Sequence, residues 1–272
     1  AITDWASHKN SEGVLCYSSS NNDFSNLTIY NNSGHGLRLR CSEWNQIVAC
    51  AIYNNYGHNV FFEGVSHNTL MGCICYNSSN DGIRFSSSNN NILTECITYN
   101  NYCGISLDNS SGNSMSYCTA FNNSHGVMLV SSSDNNTITN CNVYNNFYGI
   151  YISSSSNNLI YNNYFDNTNN AYSYGGSGNR WNITKTLGGN IVNGAYLGGN
   201  YWSDYAGIDA DGDGLGDVPY LILGSTREQD KLPLIRGVAL LQQLPNLFLY
   251  VGIIIVIIVI CFGIMAIKKS KK

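Results

Sequence analysis

Apolar and polar residues alternate in short segments that recur at a nearly constant interval along the chain. Each segment reads apolar-x-apolar, the period of two that is typical of strands with one buried face, and in most of them a glycine comes directly before. The apolar pairs are Leu37/Leu39, Val60/Phe62, Ile83/Phe85, Ile105/Leu107, Val127/Leu129 and Ile150/Ile152. Neither heptads nor a helical period of 3.6 occurs in these segments. The pattern therefore predicts an all-β body.

The interval between the segments identifies the fold class. The residues that precede the apolar pairs, called anchors here, are Gly13, Gly36, Asn59, Gly82, Gly104, Gly126, Gly149 and Ala171, at intervals of 22 or 23 residues. Such a unit is too short for a strand followed by a helix, and it suits one coil of a solenoid. The sequence predicts a parallel β-helix with its repeats in residues 1–178.

Stacked coils place equivalent residues about 4.8 Å apart, so like residues at the repeat interval are expected to form ladders. The chain has an aromatic ladder (Tyr30, Tyr53, Tyr76, Tyr99, Phe121, Tyr144), an asparagine ladder (Asn31, Asn54, Asn77, Asn100, Asn122, Asn145, Asn167) and a cysteine ladder (Cys50, Cys73, Cys96, Cys118, Cys141). Asparagine suits both amide hydrogen bonding and a left-handed turn. We interpret the cysteines as thiols packed like apolar groups, with redox chemistry or metal storage as the alternative.

A segment near the C-terminus predicts a single-pass membrane anchor. Residues 247–267 contain no charge and are long enough to cross the ~30 Å hydrocarbon core as a helix. Lysines follow in residues 268–272, and the positive-inside rule places this tail in the cytoplasm and the bulk of the chain outside. A buried core helix is the alternative, but an all-β body offers no place for one. Residues 237–246 would be a linker.

Composition narrows the class of partner. Charged residues make up 11% of the chain and the net charge is −4, so the basic footprint that nucleic acid binding requires is missing. Seven Asn-x-Ser/Thr sequons are potential glycosylation sites outside the cell: Asn26, Asn31, Asn77, Asn109, Asn122, Asn135 and Asn182. Three of them (Asn31, Asn77, Asn122) belong to the asparagine ladder, and burial of that ladder would exclude them as glycan acceptors.

After Asn179 the repeat fades and a loop rich in aspartate and glycine appears. Ca²⁺ takes six to eight oxygen ligands, and flexible loops of this composition supply them. The predicted ligands are Asp209, Asp211, Asp213 and Asp217. The spacing is close to the start of an EF-hand loop, although Tyr220 stands where that loop has glutamate. We predict a calcium loop within a capping segment, residues 179–236; a polar turn with solvated carboxylates is the alternative.

This segment, joined to asparagine-rich coils, resembles the NosD-like family of periplasmic copper-binding β-helix proteins. The matching stretches are Gly199-Asn-Tyr-Trp-Ser-Asp-Tyr205, Asp209 to Gly216, Asp217-x-Pro219-Tyr220 and Asp230-x-x-Pro233-Leu234. The resemblance spans about residues 1–235 and implies an extracytoplasmic β-helix, right-handed as parallel crossovers usually are. It also implies a link to the assembly of the copper site of nitrous oxide reductase, although many relatives, particularly archaeal surface proteins, share the fold without that role.

The position before the anchor holds candidate copper ligands. His35 and His58 occupy it on neighbouring coils, close enough for their imidazoles to share a metal. Polar residues are common at such turn positions without any metal, which is the alternative interpretation.

The outward residues of the strand that follows the anchor form a candidate ligand surface. They are Arg38, Arg40, Phe61, Glu63, Arg84, Asp108 and Tyr151. Glu63 and Asp108 are the catalytic candidates, because they are the two carboxylates of one column. They lie two coils, about 10 Å, apart. Inverting glycosidases separate their carboxyls by about 6.5–9.5 Å, so this distance is marginal. A set of surface arginine–carboxylate pairs is the alternative.

Three functions remain open. The first is a non-enzymatic, membrane-anchored surface protein that binds carbohydrate or cell-envelope material. The second is a NosD-like copper-handling protein, and the third is a polysaccharide lyase or hydrolase.

Overall fold

A computed structural model describes residues 1–225 and 227–236 of the chain. The backbone of this region winds into about eight coils of a right-handed parallel β-helix, which confirms the predicted fold. The predicted linker (237–246), membrane helix (247–267) and basic tail (268–272) lie outside the described residues. Within the described ranges, no helix has the length and apolar character needed to cross a membrane.

Each coil contributes short strands to three parallel sheets, named A, B and C here. Sheet A contains β1 (Ile2–Thr3), β4 (Asp23–Ser25), β7 (Gln46–Val48), β10 (Thr69–Met71), β13 (Ile92–Thr94), β16 (Ser114–Ser116), β19 (Thr137–Thr139) and β22 (Leu159–Tyr161). Sheet B contains β2 (Ala6–His8), β5 (Thr28–Tyr30), β8 (Ala51–Tyr53), β11 (Ile74–Tyr76), β14 (Ile97–Tyr99), β17 (Thr119–Phe121), β20 (Asn142–Tyr144), β23 (Tyr164–Asp166) and β27 (Tyr201–Trp202).

Sheet C contains β3 (Val14–Tyr17), β6 (Leu37–Arg40), β9 (Val60–Glu63), β12 (Ile83–Ser86), β15 (Cys103–Asp108), β18 (His125–Val130), β21 (Tyr148–Ser153) and β24 (Asn169–Tyr174). Two small antiparallel pairs follow, β25 (Thr186–Leu187) with β26 (Tyr196–Leu197) and β28 (Tyr220–Leu221) with β29 (Gln229–Asp230). Sheets A, B and C are thus built from residues one coil apart, as the repeat interval predicts.

The register of the sheets confirms the aromatic ladder. Tyr76 pairs with Tyr53 on one side and with Tyr99 on the other. From Tyr30 to Tyr144 the rings stack nearly parallel, with centroids 4.7–5.2 Å apart. Each ring therefore covers the face of its neighbour, and the outer surface of sheet B presents ring edges.

Inward-facing apolar side chains fill the interior of the coils. Leu37, Leu39 and Phe62 are fully buried, and burial of each such side chain stabilises the fold by about 1.5–3 kcal/mol. The anchor glycines are required by close packing: a Cβ on Gly36 would lie 2.5 Å from the Asn59 carbonyl oxygen of the next coil.

Each corner of a coil uses a residue in the left-handed conformation, followed by a residue that points inward. Asn31 takes the left-handed position between sheets B and C with φ 55° and is exposed, whereas Asn32 is buried. The predicted ladder was therefore misplaced by one residue in most coils, and Asn31, Asn77 and Asn122 stay exposed as sequons. The left-handed turn and the amide ladder are properties of adjacent residues.

The buried asparagines bond from coil to coil. The backbone N–H and Nδ2 of Asn32 both donate to Oδ1 of Asn55, at 3.1 and 2.9 Å. A second ladder, which the sequence analysis missed, lines the corner between sheets C and A: Asn22, Asn45, Asn68, Asn91, Asn113, Asn136, Asn158 and Asn179. These amides satisfy backbone groups that the corners would otherwise leave buried without partners.

Two anchors are asparagine because the buried ladder lacks its usual acceptor there. The anchor side chain accepts the hydrogen bond that the ladder asparagine of the next coil would otherwise accept. Ser78 interrupts the ladder, and Asn59 Oδ1 accepts the bond from Asn55 Nδ2 at 2.9 Å in its place. In the last coil, Asn170 Oδ1 accepts from the backbone N–H of Asn167 at 2.8 Å. Asn170 is the anchor of that coil, not Ala171 as the sequence predicted, because Ala171 pairs with Ile150.

The cysteine ladder forms the inward position of the corner between sheets A and B. Its five members are buried, and all nine cysteines among the described residues are free. Their thiols contact backbone carbonyls, as in Cys96 to Thr94 at 3.4 Å, and burial raises the pKa of Cys96 well above its ordinary value. These features agree with small packed thiols.

Residues 179–225 and 227–236 cover the last coil. Strand β27 adds to sheet B beside β23, and Trp181 and Trp202 are fully buried. The buried carboxylate of Asp230 accepts hydrogen bonds from the backbone N–H of Asn200 at 2.7 Å and from Nε1 of Trp202 at 2.9 Å. This arrangement gives hydrogen-bond partners to polar groups at the C-terminal end of the β-helix, where an uncovered last coil would leave its backbone N–H and C=O groups unpaired.

Candidate functional site

The outer face of sheet C holds the predicted ligand surface. Alternation along each strand turns two columns of side chains outward. One column contains Arg40, Glu63, Ser86 and Asp108, and the other contains Arg38, Phe61, Arg84, Ser106, Met128, Tyr151 and Tyr172. The structure thus places all seven predicted residues of this surface on one face.

Arginines on this face bridge carboxylates of different coils. Arg38 bonds to Glu12 at 3.3 Å and to Glu63 at 3.1 Å through Nε and 2.6 Å through Nη2. Arg40 approaches the same Glu63 oxygen at 3.6 Å. Glu63 is therefore held by two guanidinium groups, and two N–H donors of Arg38 converge on its Oε2. Such charge-assisted hydrogen bonds are stronger than those between neutral groups.

A second bridge lies on the next coils. Arg84 bonds to Asp81 at 3.1 Å and to Asp108 at 2.5 Å. Burial raises the pKa of Asp81, and the bonds from Arg84 act in the opposite direction. The structure does not bring the two catalytic candidates together, since the Ser86 coil separates Glu63 from Asp108 and each carboxylate is bound to a different arginine.

His35 and His58 stack beside this network. Their rings are parallel within 2°, with centroids 5.2 Å apart, and Phe61 packs at 4.8 Å from the His35 ring. His35 Nδ1 accepts the backbone N–H of His58 at 3.0 Å, and His58 Nδ1 accepts that of Asp81 at 3.1 Å. Burial, His35 and Arg84 lower the pKa of His58 to about 3. His58 is neutral, so its 3.5 Å contact with Asp81 is not an ion pair.

The later coils of sheet C carry aromatic residues in place of charges. Tyr151 stacks on Tyr172 with centroids 5.3 Å apart, and His125 stacks on Tyr148 at 5.3 Å. Burial lowers the pKa of His125, and its Nδ1 has no hydrogen-bond partner among the described residues. The face therefore changes along the axis from paired charges to tyrosine rings.

Three of the four predicted calcium ligands converge. Carboxylate oxygens of Asp209, Asp211 and Asp217 lie within 4.8 Å of one another. Asp213 instead pairs with Lys185. Backbone N–H groups of the same loop donate to the cluster, such as Gly214 to Asp209 at 2.8 Å and Ala210 to Asp217 at 2.7 Å.

The coils, the asparagine ladders and the C-terminal segment define a parallel β-helix repeat protein. The chain belongs to the family described as periplasmic copper-binding protein (NosD), whose family model matches residues 54–207, more than half of the chain. This confirms the resemblance inferred from the sequence. The match includes Gly199 to Tyr205 and ends before the aspartate loop. No curated protein is significantly similar to the chain in sequence.

Solved structures share the fold at low sequence identity. The chain is similar to the mannuronan C-5 epimerase AlgE6 A-module of Azotobacter vinelandii, with a TM-score of 0.53 and 16% identity over 65% of this chain and 56% of that chain. It is also similar to the periplasmic alginate epimerase AlgG (TM-score 0.51, 16% identity, 65% and 49% covered) and to the tailspike protein gp49 of Pseudomonas phage LKA1 (0.51, 14%, 64% and 31%). The chain spans about a third to a little over half of these proteins, and the likeness shows the fold alone.

The histidine pair does not fit the copper that the family description names. A neutral imidazole has one nitrogen with a free lone pair. In His35 and His58 that nitrogen is Nδ1, which already accepts a backbone N–H, so Nε2 carries the proton. Neither ring has a nitrogen free to bind a metal in this arrangement.

Proposed function

We propose that this protein is a non-enzymatic surface module that binds polysaccharide on the outer face of sheet C. The observation that carries the proposal is the pairing of charges on that face, where Arg38 and Arg84 each join two carboxylates. Such pairing holds hydrogen-bond donors and acceptors at intervals of one coil, where sugar hydroxyl groups can bind them. It also engages the carboxylates of Glu63 and Asp108 in ion pairs, whereas a hydrolase would need them as a free acid and base.

Two further observations support a carbohydrate ligand. The tyrosines of the later coils extend the polar face with aromatic surface, a combination that suits sugars because they have both hydroxyl groups and apolar ring faces. The epimerases of like fold are named for mannuronan and alginate, which are polysaccharides. We place the coils outside the membrane, anchored by residues 247–267 with residues 268–272 in the cytoplasm, and the family description as periplasmic supports this location.

We further propose that the aspartate loop binds Ca²⁺. Asp209, Asp211 and Asp217 already converge, and Asp213 would join them by leaving Lys185. A bound ion would stabilise the folded loop, because shared coordination would replace the repulsion among its carboxylates.

Binding by the full chain in detergent micelles tests the proposed function. Immobilised polygalacturonate, alginate and β-1,4-glucan would be the probes, with polymer length followed in parallel. We expect binding without shortening of the polymer, and about three- to tenfold weaker binding for Arg40→Ala and Tyr151→Ala, the loss of one interface side chain. Lys9→Ala, an exposed cation outside sheet C, is the matched control for Arg40→Ala.

Two outcomes would contradict the proposal. One is the absence of binding to all three polymers. The other is polymer cleavage that is lost in Glu63→Gln or Asp108→Asn, which would establish the lyase or hydrolase alternative.

A further inference from the structure

The corner between sheets B and C carries a regular row of exposed aromatic rings. From Ser33 onward, the residue after the ladder position alternates between a small hydroxyl residue and an aromatic: Ser33, Tyr56, Ser79, Tyr102, Ser124, Phe147 and Thr168. In the first coil, Ser11 follows the ladder residue Asn10. The aromatic members are 73%, 56% and 53% exposed for Tyr56, Tyr102 and Phe147. Backbone bonds such as Tyr56 N–H to the Asn32 carbonyl at 3.0 Å hold these residues in equivalent places.

The alternation leaves the ring faces open. In sheet B an aromatic residue on every coil produces continuous stacking, with neighbouring centroids 4.7–5.2 Å apart. At the corner a serine coil separates the rings, so they stand about 9.6 Å apart, twice the distance between adjacent strands. Tyr102 is tilted against His125 and Phe147 meets Tyr148 edge on, so neither is stacked face to face within the described part of the chain.

The surface around Tyr56 carries amides and hydroxyls and no charge. A groove of about 470 Å³ surrounds Tyr56 and is lined by Asn31, Asn32, Ser33, Asn54, Asn55, Tyr56, Asn77 and Ser79. The side chains of Asn31, Asn54 and Asn77 are exposed and make no side-chain hydrogen bond among those found in residues 1–225 and 227–236. Free amides beside an aromatic ring offer donors and acceptors for hydroxyl groups around an apolar contact.

We infer that this corner binds an extended, uncharged, β-1,4-linked polysaccharide, with one sugar ring stacked on each exposed aromatic residue. In such a chain successive sugars are turned over, so the same ring face recurs at every second sugar. That two-sugar repeat is close to the two-coil interval between Tyr56, Tyr102 and Phe147. The absence of charged side chains from the lining of the groove favours a neutral chain over an acidic one. The inference rests on the proposed carbohydrate-binding function and names its ligand class and a second contact surface.

Substitutions at the corner test the inference in the full chain in detergent micelles. The chain is produced in a host without N-glycosylation, because the sequons Asn31, Asn77 and Asn122 lie on the serine coils next to the rings. Calorimetry with a β-1,4-linked glucose hexasaccharide should show binding that Tyr56→Ala and Tyr102→Ala each weaken about tenfold, the loss of one stacked ring. Tyr117→Ala is the matched control, since Tyr117 is 62% exposed on the corner between sheets A and B.

A gain of aromatic surface gives the opposite test. Ser79→Tyr adds a ring between Tyr56 and Tyr102, and we expect the three rings to stack and bury their faces, as in sheet B. Binding of the hexasaccharide should therefore weaken, whereas simple apolar attraction would strengthen it.

The results separate this inference from the proposed function. Unchanged hexasaccharide binding in Tyr56→Ala, or equal binding of an α-1,4-linked hexasaccharide, overturns the corner site alone. Binding of polygalacturonate or alginate without any binding of the β-1,4-linked probe has the same meaning. Failure of every carbohydrate to bind removes both proposals.

Discussion

The protonation state of His35 and His58 depends on hydrogen bonds to the neighbouring coil. Each imidazole accepts the backbone N–H of the residue one coil further on and stacks on its like. Protonation at Nδ1 would break these bonds, so the fold holds both rings in the neutral form. Burial lowers the pKa of both histidines, and that of His58 falls to about 3.

This arrangement predicts acid sensitivity above that of the carboxylates alone. Because the folded pKa lies below the unfolded value of about 6.5, the unfolded chain binds the proton first as the pH falls. For His58 the stabilisation is complete above about pH 6.5 and is lost toward pH 3, at up to ~1.4 kcal/mol per pH unit.

His58→Gln should therefore reduce the slope of the unfolding free energy between about pH 6 and pH 4. Denaturant titrations at several pH values measure this slope, and His8→Gln, a change at an exposed histidine, serves as the control. Equal slopes for the wild type and His58→Gln would show that the ring is not held neutral.

At the scale of the element, the corners are stabilised by amide ladders. Oδ1 of Asn91 accepts from the N–H and Nδ2 of Asn68, at 2.9 and 3.2 Å, and its own Nδ2 donates to the carbonyl of Val65 at 3.2 Å. One amide thus satisfies three polar groups of the preceding coil, so its loss leaves several buried polar groups unpaired.

We expect Asn91→Ala to lower the free energy of unfolding by about 2–5 kcal/mol, since each buried unpaired group costs about 1–3 kcal/mol. Asn142→Ala removes an exposed asparagine from strand β20 and should change it by less than about 0.5 kcal/mol. Chemical denaturation of both variants checks the difference. Similar losses would mean that the ladder does not stabilise the corner.

The repeat interval predicted the elements well but could not assign every position within a corner. Both Asn31 and Asn32 recur at the coil interval, so spacing alone did not show which one bonds inside. Their backbone conformations decide it, since only the residue after the left-handed turn points inward. The anchor at Asn170 was missed because the last interval shortens to 21 residues between Gly149 and Asn170, which a pattern of 22 or 23 does not follow.

The candidate site was predictable in its columns but not in its contacts. Register placed Arg40, Glu63 and Asp108 on one face, as expected from alternation. The bridges made by Arg38 and Arg84 run diagonally between columns and depend on side-chain length and direction. Those properties are absent from residue spacing, so the sequence offered arginine–carboxylate pairs on this face as an alternative but could not show which partners they join.

At the scale of the whole molecule, stability depends on how the stack of coils ends. A solenoid is held together by contacts between neighbours, and its terminal coil needs a cover. Here the cover includes the aspartate loop, and Ca²⁺ bound to Asp209, Asp211 and Asp217 would stabilise the conformation of that loop.

Calcium should therefore raise the thermal stability of the chain. At a hundredfold excess over its dissociation constant, a ligand specific for the folded state adds ~2.7 kcal/mol, or roughly 5–10 °C in Tm for a domain of this size. Scanning calorimetry with and without Ca²⁺ measures the shift. Asp209→Asn should abolish it and Asp23→Asn, an exposed carboxylate on strand β4, should not; an equal shift in both variants would assign the effect to general screening.

The serine–aromatic alternation at the B–C corner restricts how such a chain can lengthen during evolution. Within the row from Ser33 to Thr168, duplication of a single coil would set two aromatic residues side by side or two small hydroxyl residues in succession, and the alternation would be lost. Duplication of two adjacent coils, such as the stretch from Ser33 to Ser79, would add one ring at the same interval. Longer homologues that kept this surface should therefore have gained their coils in pairs.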